Sequence, residues 1–270
     1  MAQPEVRKLE LRVIERVASE PPPEPNPGPP RPAALAVRSD SHVNLAHVQA
    51  QSFPVVVVEE VSLPSSLDPR LVVLCEPDSI ATRNYRLLQH RLLAGSDPHV
   101  IAVTSPSPGE GKTTCAANLA LVLADQTFAR VLLIDANVRR PALARTFGFE
   151  PVDSFIDQLA RGQDARTPYL VARIRSTRLH VAALRSDTPR GLRLDRLRLG
   201  LALSELRYSY HYIIIDAASV LESADADIIG EFADGVVVTA RAEKSRRGTL
   251  RRAIDQLSPA SVSGVVLLDT

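Results

Sequence analysis

Between residues 99 and 268 the chain alternates short apolar runs with longer stretches of helical period, and few folds accommodate that alternation. The runs at 99–104, 131–135, 179–183, 212–216, 235–240 and 263–268 are hydrophobic almost throughout. A strand with one face in water would place a polar residue at every second position, so these read as strands of a parallel sheet covered on both sides. Apolar residues recur at helical spacing over 112–126, 154–161, 192–208, 221–231 and 247–257, supplying the crossovers that parallel strands require. The predicted fold is α/β: a doubly wound, mainly parallel sheet with helices on both faces. In such a sheet, functional residues gather at the carboxyl ends of the strands.

The chain ahead of the sheet has a different character. Val6, Leu9, Val13, Ile14 and Val17 recur at helical spacing and predict a short amphipathic helix, docked on a surface or frayed, because isolated helices of this length are barely stable. Residues 21–32 then place eight prolines in twelve positions, which removes most backbone donors and reads as a flexible, semi-extended linker. From 33 to 67 no period stands out beyond a β-branched run at 55–58. The expected division is an N-terminal segment over 1–67 and one α/β domain over 68–270. A helix at 79–93, capped by Asp78 or Ser79, opens that domain.

Hydrophobic residues at 45% and charged residues at 23% exclude a fibrous or wholly disordered chain. The formal net charge is only +1, so no global field favours nucleic acid and any anion site has to be local. No run approaches the roughly 18 apolar residues that span a bilayer, and the opening MAQPEVRKLE has no apolar signal-peptide stretch; the expected compartment is the cytoplasm. Cys75 and Cys115 make neither a disulfide framework nor metal-ligand spacing, and no structural zinc is expected.

The local anion site is legible at 105–114, Ser-Pro-Ser-Pro-Gly-Glu-Gly-Lys-Thr-Thr, between the first strand and the helix that follows it. Gly109 and Gly111 permit the backbone to turn its amides inward from Pro108 through Glu110 to Thr114, and the helix N-terminus adds partial positive charge. Lys112, one of three lysines among 32 basic residues, is placed to reach the β and γ phosphates, and Thr113 to offer its hydroxyl to Mg²⁺. The pattern G-x-x-x-x-G-K-[ST] is met except at its first position, where Pro106 stands.

Two later strands end in acids. Asp135 closes the second, with Asn137, Arg139 and Arg140 just beyond, and Asp216 closes the fourth. Either acid alone would fit a turn cap. Beside a phosphate loop in one sheet, one is suited to hold Mg²⁺ and the other to orient or deprotonate an attacking group.

The stretches SPSPGEGKTTCAANLA, VLLIDANVRRPALARTFG and YHYIIIDAASVLESADADII resemble the three nucleotide-site motifs of the bacterial tyrosine kinases, P-loop autokinases of capsule and exopolysaccharide assembly. The resemblance runs from about Leu71 to the C-terminus. It implies a MinD/ParA-like P-loop domain that uses ATP and Mg²⁺, with Lys112, Asp135 and Asp216 catalytic, Thr113 and Asp216 on the metal, and Pro108 to Thr114, Asn137 and Arg139 around the nucleotide. It also implies a membrane polysaccharide co-polymerase, or chain-length determinant, as partner, with recruitment to the inner membrane face. The wider ParA/MinD-like class carries a second loop lysine where Ser107 and Pro108 stand here, which favours the kinase branch.

Several positions depart from the family pattern. The second motif, D-x-D-x-R in relatives, reads Asp135-Ala-Asn-Val-Arg139, losing one charge at Asn137. Relatives carry a tyrosine cluster at their C-terminus, whereas this sequence stops at Thr270 and has Tyr85, Tyr169, Tyr208, Tyr210 and Tyr212, the last three expected to pack. The ring-assembly pattern E-x-x-R-x-x-R becomes Arg83, Arg86 and Gln89, which puts a homo-oligomeric ring in doubt, and Leu268 replaces an asparagine that contacts adenine. An active but slowed kinase, a nucleotide-gated regulatory subunit and a MinD-like positioning ATPase are the functions open at this point, in that order.

Overall fold

The structure, a computed structural model, describes residues 11–14, 56–94, 97–125, 129–161, 168–189, 192–258 and 260–269. Its strands are β1 (Leu11–Ile14), β2 (Val56–Val61), β3 (Val100–Thr104), β4 (Val131–Asp135), β5 (Tyr169–Ile174), β6 (Leu179–Ala182), β7 (Tyr212–Asp216), β8 (Gly235–Arg241) and β9 (Val262–Leu268). The helices are α1 (Val72–Cys75), α2 (Ile80–Leu93), α3 (Lys112–Asp125), α4 (Leu143–Phe147), α5 (Phe155–Arg161), α6 (Arg196–Leu206), α7 (Asp225–Phe232) and α8 (Arg247–Leu257). The strands form one sheet in the order β1-β9-β8-β3-β7-β4-β6-β5-β2. Every pairing from β9 to β6 is parallel, as is β5 with β2, while β1 with β9 and β5 with β6 run antiparallel.

The period of two along each strand sorts the core into two layers. Ile101, Val103, Val131 and Leu133 face one layer with Tyr85 and Leu88 of α2 and nearly all of α3. Val100, Ala102, Leu132 and Ile134 face the other, with Phe155, Leu199, Leu203 and Ile229 from α5, α6 and α7. Burying each such side chain is worth about 1.5–3 kcal/mol, which explains why these strands tolerate no polar alternation. From Cys115 to Ala124 helix α3 is apolar on all sides because it lies between the sheet and α2; the one polar residue of 115–124, Asn118, donates to the carbonyls of Arg70 at 2.7 Å and Thr114 at 2.8 Å. Ser79 caps α2 by accepting from Thr82 N–H at 3.2 Å.

The doubly wound sheet expected from the sequence is present, with three corrections to individual elements. Leu11–Ile14, expected as part of an amphipathic helix, is instead a strand against β9; β-branched Val13 and Ile14 extend readily, and pairing satisfies an edge that would otherwise lie open. The rest of that helix and the proline-rich segment lie outside the described residues. Val56–Val61, within the stretch read as irregular, is the edge strand β2, paired with β5 from Val56↔Tyr169 to Val61↔Ile174. Strand β5 itself was not anticipated. No described helix is long and apolar enough to cross a membrane.

Candidate active site

The carboxyl ends of β3, β7 and β4 lie side by side, and the loop leaving β3 turns directly into α3. Gly109 at φ +74° and Gly111 at φ +83° take the left-handed backbone that side chains disfavour, which is what lets the loop curl. The space at Gly111 is also occupied: a Cβ there would lie 2.1 Å from Leu268 Cδ1, so β9 closes against the loop. Lys112 begins α3 and is buried, and Thr113 beside it donates its hydroxyl hydrogen to Asp216 Oδ2 at 2.6 Å.

Glu110 is buried at 2% exposure, but its side chain turns away from the cradle. Oε2 accepts from Ser107 N–H at 2.7 Å and Oε1 accepts from the Ser245 hydroxyl. Lys244, beside Ser245 in the β8–α8 turn, donates to the Pro108 carbonyl at 3.1 Å. That turn therefore braces the outside of the loop, and neither Lys244 nor Ser245 was foreseen. The scarcity of lysine was the one available signal, since Lys8, Lys112 and Lys244 are the only three in the sequence.

Asp135 and Asp216 are fully buried partners in the β4–β7 register. Asp135 Oδ1 accepts from Asn137 N–H at 3.1 Å, and Oδ2 accepts from Ala142 and Leu143 N–H at 2.9 and 3.0 Å. Burial raises its pKa, opposed by those three main-chain donors and by Lys112. Asp216 is raised by burial and then by the charge of Asp135, opposed by Lys112 and Thr113. The Lys112 ammonium thus lies within electrostatic reach of both acids. Asp216 Oδ1, also buried, has no hydrogen-bond partner among the described residues. An orphaned carboxylate oxygen in a dry site is costly unless a cation or proton meets it.

The fold thus gathers Lys112, Thr113, Asp135 and Asp216 at one place and leaves other sequence-predicted residues at its margin. Asn137 is buried and donates its side-chain amide to the Arg140 carbonyl at 3.0 Å, closing its own loop. Arg139 is exposed and lines a separate cleft. Thr114 receives Asn118 at its carbonyl. On α2, Arg83 and Arg86 turn back to the Asp78 and Pro77 carbonyls at 3.0 and 3.3 Å, while Gln89 is buried. Tyr210 packs against His180 and Tyr212 donates to Asp97 at 3.2 Å, as packing residues do, but Tyr208 is 68% exposed. Cys115 is buried and its thiol is pushed up to about 12 by burial, which fits a core residue.

A phosphate loop heading a doubly wound sheet, flanked by two acids at neighbouring strand tips, defines a nucleotide-binding P-loop domain of the MinD/ParA class. Residues 101–270 match the family described as the CobQ/CobB/MinD/ParA nucleotide binding domain. Within that class the chain is 30% identical over 201 residues to the tyrosine-protein kinase YwqD of Bacillus subtilis, covering 72% of this chain and 82% of the relative. It is 28% identical over 194 residues to the succinoglycan biosynthesis transport protein ExoP of Rhizobium meliloti, covering 70% of this chain but only 24% of that longer protein. Among solved structures the kinase domain of VpsO superposes with a TM-score of 0.58 at 27% identity, covering 70% of this chain and 96% of that one. The chain belongs to the bacterial tyrosine kinase family.

Proposed function

We propose that this chain binds Mg-ATP and transfers its γ-phosphoryl group to a tyrosine of a protein partner in exopolysaccharide or capsule synthesis or export. The observation that carries this reading is the Thr113–Asp216 pair beneath the loop, with one Asp216 oxygen buried and unmet. A hydroxyl and a carboxylate oxygen are the hard donors that Mg²⁺ accepts beside waters and phosphate oxygens, so these residues fit the ion. When bound, Mg²⁺ neutralises charge on the phosphate oxygens.

The chain's own residues supply the rest. The amides from Gly109 to Thr114 and the Lys112 ammonium hold the β and γ phosphates and offset the charge that spreads over them during transfer. The acceptor phenol oxygen forms a bond to the γ-phosphorus as the bond to the β–γ bridging oxygen breaks, and ADP departs. Asp135 is the candidate base for the phenol proton, which then passes to water. Three of its roughly four acceptor positions are used by backbone amides, leaving one on Oδ1. Asn137, neutral where relatives carry an acid, slows the reaction without removing that base.

The partner in this reading is a membrane polysaccharide co-polymerase, a reading supported by the similarity to ExoP, a succinoglycan biosynthesis transport protein, with the kinase acting on the cytoplasmic face of the inner membrane. No nucleic acid is required. The return of Arg83 and Arg86 to their own chain supports a weakened or altered homo-oligomer. The test is incubation with γ-labelled ATP, Mg²⁺ and a cognate co-polymerase or tyrosine polymer. Label on tyrosine, absent in Lys112→Ala, is the expected result. Nucleotide binding without label on any tyrosine defeats the catalytic half. It would favour instead a nucleotide-gated regulatory subunit, a reading that draws on Asn137 and on Leu268 packed against Gly111.

A further inference from the structure

Beside the loop that follows β4 lies a cleft of about 880 Å³ whose rim carries Arg139, Arg140, Arg145 and Arg185. Several arginines elsewhere are matched by acids: exposed Arg70 by Asp68, Arg173 by Glu60 and Arg196 by Glu231, and half-buried Arg207 by Asp234. At the cleft only Arg185 is matched, by Asp187 at 2.9 Å. The guanidinium groups of Arg139, Arg140 and Arg145 make no hydrogen bond or ion pair with a described residue. Arg145 acts on Asp68 only through its longer-range charge. Glu150, the one carboxylate in the lining, already accepts from the Ser186 N–H and hydroxyl at 2.8 and 3.0 Å. A chain with a net charge of only +1 has thus collected uncompensated positive charge at one concave place.

The same lining carries apolar surface from Val138, Phe149 and Leu184, beside the polar Ser186 and Thr188. Guanidinium forks recognise planar carboxylates, and apolar surface between them suits an aromatic ring. The cleft wall is also anchored to the site: Ala142, part of the lining, donates its N–H to Asp135 Oδ2 at 2.9 Å. None of the phosphate-loop residues lines it, so the cleft is separate from the triphosphate cradle.

We propose that this cleft docks an acidic peptide segment of a protein partner, its carboxylates on Arg140 and Arg145 and an aromatic side chain between them. That the aromatic is the acceptor tyrosine, approaching on the Asp135 side, rests on the kinase reading above; that the cleft binds an acidic peptide does not.

The test is fluorescence anisotropy of the full chain with a labelled peptide of glutamates around one tyrosine, without nucleotide, beside a peptide carrying glutamine for each glutamate. Wild type is expected to bind the acidic peptide, more weakly as salt is raised. The Arg140→Glu, Arg145→Glu double variant is expected to lose about tenfold or more in affinity, and the glutamine peptide a similar factor. Melting temperature and ATP affinity of the variant should stay at wild-type levels; should the double variant fail to fold, Arg145→Glu alone serves, with about a threefold loss expected. No binding by wild type, or equal binding by variant or glutamine peptide, overturns the proposal. So does saturation by polygalacturonate that the peptide cannot displace, which would assign the cleft to an anionic polysaccharide. Failure of wild type to bind ATP would sink the kinase reading while leaving the peptide result to stand or fall alone.

Discussion

Thr113 Oγ1 and Asp216 Oδ2 stand 2.6 Å apart, tying the first turn of α3 to the tip of β7. The β4–β7 register sets Asp135 directly opposite Asp216, so two buried carboxylates and the Lys112 ammonium share one dry corner beneath the loop. Two acids against one cation is an arrangement that gains from a second cation.

A pH dependence follows from that imbalance. Burial and the Asp135 charge raise the folded pKa of Asp216 above its unfolded value of 3.8, so the folded state holds the proton more tightly. Stability from this group is full below the unfolded value and is lost as pH rises through the folded one. Nucleotide-free protein should melt at a lower temperature at about pH 8 than at about pH 6, and Asp216→Asn should remove most of the difference. Thermal melts of both proteins check this; a variant that keeps the parental slope contradicts it.

The loop backbone permits little at Gly111. Alanine there meets both a φ of +83° and Leu268 Cδ1, and should cost about 2–3 kcal/mol of stability along with nucleotide binding. Adding Leu268→Ala relieves the steric part alone, so urea melts should show partial recovery while affinity stays low.

Ser245→Ala leaves Glu110 Oε1 without its hydroxyl donor while Oε2 still holds Ser107 N–H. A destabilisation of about 1–2 kcal/mol is expected, with a several-fold loss of ATP affinity because the brace on the loop is gone. Threonine at 245 should restore both in the same titration, since it keeps the hydroxyl.

Asn137→Asp tests the departure from the family pattern. Aspartate cannot donate to the Arg140 carbonyl and adds charge beside Asp135, so the nucleotide-free protein should lose about 1–2 kcal/mol in denaturant titrations. Tyrosine phosphorylation should nevertheless rise with Mg²⁺ present; an unchanged rate would mean that the missing charge is not what limits transfer.

The phosphate loop and both acidic strand tips were readable in the sequence because each depends on local spacing: glycines where φ is positive, and acids closing apolar runs. Six strands and six helices fell within a few residues of the expected bounds for the same reason. What escaped depends on distant pairing. Val56–Val61 carries four valines and two glutamates without alternation, and only its partner β5 makes it a strand. Leu11–Ile14 fits helix or strand equally until β9 offers an edge. The brace from Lys244 and Ser245 joins residues about 135 positions apart in sequence, and no local pattern announces that Glu110 points outward. Likewise the cleft arginines come from separate places in the sequence: Arg139 and Arg140 after β4, Arg145 in α4 and Arg185 after β6.

Calorimetric titration of ATP into wild type and Lys112→Ala in Mg²⁺ bears most directly on the nucleotide site. Saturable binding by wild type, weakened by about a hundredfold or more in the variant, is expected for an ammonium that contacts two phosphates. Equal affinity in the two proteins, or no heat with wild type, would contradict it.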